Sequence, residues 1–266
     1  MKTQKGLLRD NDQFSSYLDN EILVIKEKRH IFHFAKNIAS IFNLYDYMDH
    51  VLKDKTYNAL VTFAPSERDL NTEYSYFVSR IISGDDATDY LERFLNVVNK
   101  FILSLATINH MTVFAAHGTV PMFYLNTALA YDYRIVAEDT VFENLNLNIG
   151  LLTKGSGYFL PRILGIKKAT EVLQWKSFSA EDALHLGLVD QIVSGTKLEE
   201  ETLQFVSGNQ AQMSSTLLDL RKLFKCDIKE LKRSLELEDE LIRKRLRSDE
   251  LRRRLTANRE GSGRLL

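Results

Sequence analysis

One cysteine, three prolines and twelve glycines are all that a chain of 266 residues carries of those types. Cys226 is alone, so no intramolecular disulfide can form, which excludes a small disulfide-stapled scaffold. So few prolines and glycines argue against a disordered linker or two domains on a flexible string. Charge of one sign is missing too: 36 acidic against 35 basic side chains leave a formal net charge of −1. That balance supplies no basic field for nucleic acid or for an anionic membrane. No run approaches the roughly 18 apolar residues of a membrane span. The opening MKTQKGLLRDNDQF has no apolar signal core, so a cytoplasmic location is expected. Among motifs, G-x-G-x-x-G, the phosphate loop, G-x-S-x-G and zinc-ligand spacings are all absent. His30 and His33 share an alternating stretch, but two histidines make no metal site.

What remains is an ordinary globular composition, 44% hydrophobic and 27% charged, long enough to bury a sizeable core. Glu21 to Lys26 is a short apolar run bounded by charges and reads as a strand. His30 to Phe34 alternates and is expected to pair with it as a hairpin. Residues 1 to 19 are polar and expected to be partly ordered at most. From Ile38 to Leu52 apolar residues recur at gaps of three and four, an amphipathic helix. Ala59 to Phe63 is a buried strand. Residues 74 to 109 read as helix with a break near residue 84, their apolar face running from Phe94 to Leu105. Val113 to Ala116 is a strand, followed by a tight turn at His117-Gly118 and a helix from about Met122 to Tyr131. A strand over Tyr133 to Val136 comes next. Strand and helix thus alternate, which predicts a parallel sheet with right-handed crossovers. Later, Ser179 is placed to cap a helix with Glu181 and Asp182 in its first turn, and Gly187 to end it. Helices are expected from about Lys197 to Leu255, with Leu231, Leu235, Ile242 and Leu246 along one face.

Two segments carry a family resemblance. LGIKKATEVLQWKSFSAEDALHLGLVDQIV, residues 164 to 193, and ALAYDYRIVAEDTVF, residues 128 to 142, resemble conserved runs of the enoyl-CoA hydratase/isomerase (crotonase) superfamily. The order and spacing of elements resemble that family from about residue 20 to about residue 256. The resemblance implies an α/β fold, a crotonase-like ββα spiral, over residues 1–195, with a C-terminal helical trimerisation region over 196–266. It implies a homotrimer or hexamer, an acyl-CoA thioester as partner, and no cofactor beyond the CoA of the substrate.

Members of this family hold the thioester carbonyl with two backbone N–H groups, because proton transfer beside a thioester develops negative charge on its oxygen. By the resemblance these donors are Arg68, in the loop after an early strand, and Phe123, in the first turn of the central helix. The family's glycine triplet is replaced there by Met122-Phe123-Tyr124. Pro121 suits the start of that helix. Hydratases of the family also use two glutamates to divide base and acid work. The matching positions are Asn126 and Asn146. An amide trades no proton near neutral pH, though it donates and accepts hydrogen bonds, so the catalytic part expected of Asn126 and Asn146 is to position substrate or a water. Ordinary two-glutamate hydration is therefore not expected. Asp69 and Glu67 are the remaining acid/base candidates by position, and Tyr124, Lys154 and Ser156 are candidate substrate-binding groups. Lys154 reads either as an anion ligand or as an exposed lysine. Basic side chains near the C-terminus can meet CoA phosphates in the resembled family. Two functions follow: an acyl-CoA enzyme working through a backbone oxyanion hole, or a catalytically degenerate member that binds a CoA ester or a partner subunit.

Overall fold

The computed structural model describes residues 6–36, 38–51, 54, 56–66, 70–83, 87–212, 227–251 and 253. A seven-stranded sheet forms its centre, in the order β1-β2-β3-β4-β5-β7-β10. The strands are β1 (Arg9–Asp10), β2 (Phe14–Asp19), β3 (Ile22–Glu27), β4 (Ala59–Phe63), β5 (Met111–Ala116), β7 (Tyr133–Ala137) and β10 (Gln191–Val193). From β3 to β10 every neighbouring pair is parallel, while β1, β2 and β3 are antiparallel. A second sheet joins β6 (Thr119–Pro121), β8 (Val141–Glu143) and β9 (Ser177–Ser179). The resulting architecture is α/β, built on a mostly parallel sheet, as the sequence implies.

Helices cover the sheet unequally. One face carries α1 (Ile38–Val51), α2 (Leu70–Ser83), α3 (Ala87–Thr107) and α4 (Met122–Ala128), all packed into the larger core. Beyond it come α5 (Leu145–Ile149), α6 (Ser156–Val172) and α7 (Ala180–His185). The other face is covered by α8 (Leu198–Gln212), whose Leu198 and Val206 pack against Ile22, Val24, Val61 and Val113. The parallel strands are therefore buried on both sides, which is why β4 reads ALVTF without a polar alternation. The last long helix, α9 (Ile228–Leu246), buries Leu231, Leu235 and Ile242 against its own chain and lies on α3 and α6.

Several expectations hold. The expected strands over 59–63, 113–116 and 133–136 are in place within β4, β5 and β7, and the α3 face from Phe94 to Leu105 packs into the core. Ser179 accepts the Asp182 N–H at 3.1 Å while Asp182 accepts the Ser179 N–H at 3.0 Å, a reciprocal capping box. Gly187 follows α7 at φ +70°, the left-handed end that glycine adopts without steric cost. Of the expected 38–52 face, Met48 and Val51 are buried, and the other members' side chains lie outside the described residues.

Two expectations fail. The hairpin partner of β3 is β2, whereas residues 31–36 form a 3-10 turn. The reason lies in FSSYLD, where Phe14 and Ser16 are buried on one face of β2 and Tyr17 packs toward the opposite core. His30, Ile31 and Phe32 are instead all buried, each by a different neighbour, so their alternation marks no sheet face. Of the expected partly ordered segment 1–19, residues 9–10 and 14–19 form β1 and β2, and residues 1–5 lie outside the described residues.

Candidate functional site

In an open parallel sheet, ligands collect beyond the C-terminal ends of the strands. Here that edge is set by register. Lys26 pairs with Phe63 and Phe63 with Ala115, so β3, β4 and β5 end together. The chain leaves β5, forms β6 and enters α4, which puts Phe123, Tyr124 and Asn126 just above this edge. Asn126 and Asn146 are both buried. Asn126 donates its Nδ2 to Thr153 Oγ1 at 3.0 Å. Its Oδ1 is buried with no hydrogen-bond partner among the described residues. Asn146 is held at both ends: Tyr74 donates its hydroxyl to Oδ1 at 2.7 Å, and Nδ2 donates to the Leu152 carbonyl at 2.8 Å. Burial pushes the Tyr74 hydroxyl well up, so it stays protonated and able to donate.

Phe123 and Tyr124, in the first turn of α4, are both buried. Phe123 is buried against Phe32, Phe94 and the Tyr124 ring. Tyr124 stands edge-on to His30, with ring centres 5.0 Å apart. Its hydroxyl accepts the Ile31 N–H at 2.8 Å and donates to Glu27 Oε2 at 3.2 Å. Between the sheet and these helices lies a cavity of about 40 Å³, walled by Ile25, Met48, Phe101, Phe114 and Phe123. Its polar lining includes Glu27, Tyr124, Thr62 and Tyr131. Tyr131 donates to Thr62 Oγ1 at 3.1 Å. Part of the Glu27 side chain reaches solvent, yet protein packs closely around its carboxyl. Burial pushes that carboxyl up to about 8, against the pull of the Tyr124 hydroxyl, which lowers it.

The strand read from the sequence closes at Lys26, which leaves Glu27 outside it, whereas β3 runs to Glu27. The available signal was the period of two. Leu23 and Ile25 face the larger core, so the next residue on that face is Glu27, an acid on a buried face.

Lys154 and Ser156 form a different environment. Lys154 is only 3% exposed, which overturns the exposed reading. Its ammonium donates to Asp239 Oδ1 at 2.5 Å and to the Leu235 carbonyl at 2.7 Å, and lies 3.5 Å from Glu238. Ser156 donates to the Thr153 carbonyl at 2.9 Å. Glu238 in turn accepts the N–H groups of Gly155 at 2.8 Å and Gly157 at 2.6 Å. These contacts tie α9 to the turn that carries Thr153, the partner of Asn126. Arg243 pairs with both carboxylate oxygens of Glu92, and Arg245 donates to the Gly150 carbonyl, so these two basic groups of α9 serve contacts within the chain. Glu67, Arg68, Asp69 and Cys226 lie outside the described residues. Among the described residues no three of His, Cys, Asp and Glu cluster as a metal site, and no helix is long and apolar enough to cross a membrane.

The sequence model of one protein family, Enoyl-CoA hydratase/isomerase, matches residues 84–262. The chain belongs to the enoyl-CoA hydratase/isomerase family. Its relatives include trans-2-decenoyl-[acyl-carrier-protein] isomerase of Streptococcus mutans, 32% identical over 127 residues, 47% of this chain and 48% of that protein. The fatty acid oxidation complex subunit alpha of Pseudomonas syringae pv. syringae is 31% identical over 137 residues, 47% of this chain and 19% of that protein. The matches thus span about half or less of these two relatives' own lengths. In three dimensions, the enoyl-CoA hydratase from Bacillus halodurans superposes with a TM-score of 0.76, covering 92% of this chain and 99% of that one at 22% identity. That likeness shows the family's fold. Within it, this member has amides at 126 and 146 and aromatic side chains at 123 and 124.

Proposed function

We propose that the chain acts on an acyl thioester, an acyl-CoA in the first instance, through a backbone oxyanion hole and without two-glutamate hydration. Phe123, in the first turn of α4, and Arg68 would supply the two N–H groups. Two fixed dipoles in a water-poor site stabilise the enolate oxygen that forms when a proton leaves the acyl chain. The observation that carries this reading is the pair Asn126 and Asn146. Both are buried at the positions where the family resemblance calls for carboxylates, and neither can act as acid or base near neutral pH. Chemistry that remains open to such a site is proton shuttling by some other group, as in double-bond isomerisation. The Streptococcus mutans relative is named for an isomerisation of a 2-decenoyl thioester. Asp69 and Glu67 remain acid/base candidates in this reading, and the assembly is a homotrimer or hexamer, readable by sedimentation.

A second reading has its own support. Both ends of the Asn146 amide are spent within the protein, and Phe123 packs tightly among aromatic rings. This arrangement suits a degenerate member that binds a CoA ester or a partner subunit. Calorimetric titration with crotonyl-CoA and free CoA, followed by turnover of trans-2-decenoyl-CoA and its acyl-carrier-protein thioester, separates the two. Micromolar ester binding with turnover supports the enzyme. Binding without turnover supports the degenerate member that binds a CoA ester, and no binding of any thioester overturns the enzyme and leaves the partner-subunit form of the second reading.

A further inference from the structure

We propose that Glu27, hydrogen-bonded to Tyr124, is a proton-transfer group that acts on the acyl chain of an unsaturated thioester held in the cavity beside α4. The inference rests on the thioester reading above and adds to it a residue and a place. Four observations converge on Glu27. It ends β3 at the strand edge where parallel sheets bind ligands. It lies on the core-facing side of that strand, the next residue on the face of Leu23 and Ile25. Its cavity is walled mainly by apolar side chains, as an acyl group requires, and its 40 Å³ gives room for about three water-sized atoms, enough for carbons 2 to 4 of a short 2-enoyl group. Finally, Tyr124 is oriented: because its oxygen accepts the Ile31 N–H, its own proton is directed to Glu27.

Among the described residues, few other charged or titratable groups surround Glu27. Arg29 and Tyr131 line the same cavity, and His30 packs on the Tyr124 ring. Burial outweighs the Tyr124 hydrogen bond, so Glu27 is a weak acid whose conjugate base is correspondingly strong.

The step balances within the thioester and the carboxylate. Glu27 as carboxylate takes a proton from carbon 4 of a 2-enoyl thioester. The C–H pair becomes the C3–C4 double bond, the old double bond shifts to C1–C2, and the carbonyl oxygen takes the negative charge. The Glu27 carboxylic acid then returns the proton. Return to carbon 2 leaves a 3-enoyl thioester, and return to carbon 4 restores the starting material. No oxidant, reductant or cofactor enters.

The test uses crotonyl-CoA in D2O, with deuterium incorporation read by mass spectrometry and affinity read by calorimetry. The wild-type protein should bind the thioester and incorporate deuterium. Glu27→Gln should bind with unchanged affinity and exchange at least about a hundredfold more slowly. Tyr124→Phe should retain exchange but move its pH midpoint upward, because the hydrogen bond that lowers the Glu27 pKa is gone. Wild-type exchange with unimpaired exchange in a folded Glu27→Gln overturns the assignment and leaves the thioester reading standing. Should Glu27→Gln fail to fold, the Tyr124→Phe profile decides, and an unmoved midpoint overturns the assignment. A wild-type protein that neither binds nor exchanges removes the thioester reading and the assignment with it.

Discussion

The ammonium of Lys154 sits 2.5 Å from Asp239 Oδ1, and the two side chains are each almost wholly buried. A lysine just before a glycine turn thereby joins the sheet-side loop to the C-terminal helix. Asn99 adds a third element by donating to Asp239 Oδ2 at 2.7 Å from α3. Removing one partner leaves an uncompensated buried charge. Lys154→Met should therefore cost roughly 3–5 kcal/mol, measured by urea denaturation. The triple variant with Glu238→Gln and Asp239→Asn should recover part of that loss. A Lys154→Met protein as stable as wild type would show that the pair carries no structural weight.

Stability should depend on pH through Glu27. Its carboxyl rises from 4.5 to about 8 on folding, so the folded state holds a proton that the unfolded state has released. The contribution is complete below about 4.5 and falls as pH rises toward 8, by up to about 1.4 kcal/mol per pH unit. Urea denaturation between pH 5 and 8 should show this slope in wild type relative to Glu27→Gln, which cannot ionise. Parallel curves for the two proteins would contradict it.

At Gly155 the backbone has φ +84°, and an added Cβ would lie 3.3 Å from the Asn126 carbonyl oxygen. Gly155→Ala meets the left-handed penalty and presses on the helix that carries Phe123 and Tyr124. A loss of about 1–2 kcal/mol in thermal or urea unfolding is expected. An unchanged midpoint would mean the turn relaxes freely.

Asn146→Asp keeps an acceptor for Tyr74 but places an oxygen against the Leu152 carbonyl, where Nδ2 now donates. The lost donor and the repulsion should cost about 1–3 kcal/mol. Asn146→Ala tests the substrate-positioning role directly. A positioning residue lowers thioester turnover at fixed affinity, whereas a purely structural one lowers the melting temperature alone.

Local signals made most of the fold legible. The apolar run of β4, the 3.6-residue period of α3, and the Ser179-Asp182 and Gly187 punctuation each decide their element within a few residues. Segments whose burial is set by distant partners were not legible. Phe14 packs on Tyr47 and the Tyr47 hydroxyl donates to the Leu7 carbonyl, so the N-terminal strands are fixed by α1. Ile31 and Phe32 are buried by α4 and α2, which imposes a turn where alternation suggested a strand. The site divides in the same way. Asn126 and Asn146 could be picked out by family spacing. Lys154 could not be placed, because the acids that bury it lie more than eighty residues later. Glu27 needed the face of β3, and one residue more of strand, to be seen as pointing inward.

Glu238 gives the order of assembly a direction. The N–H groups that open α6 find their acceptor 81 and 83 residues downstream. During synthesis the sheet, α4 and both asparagines leave the ribosome before that carboxylate exists. The contacts that Gly155 and Gly157 make with Glu238 can form only once residue 238 has been made. A nascent chain halted before residue 238 would hold every amino acid of the asparagine pair and none of the clamp that sets them.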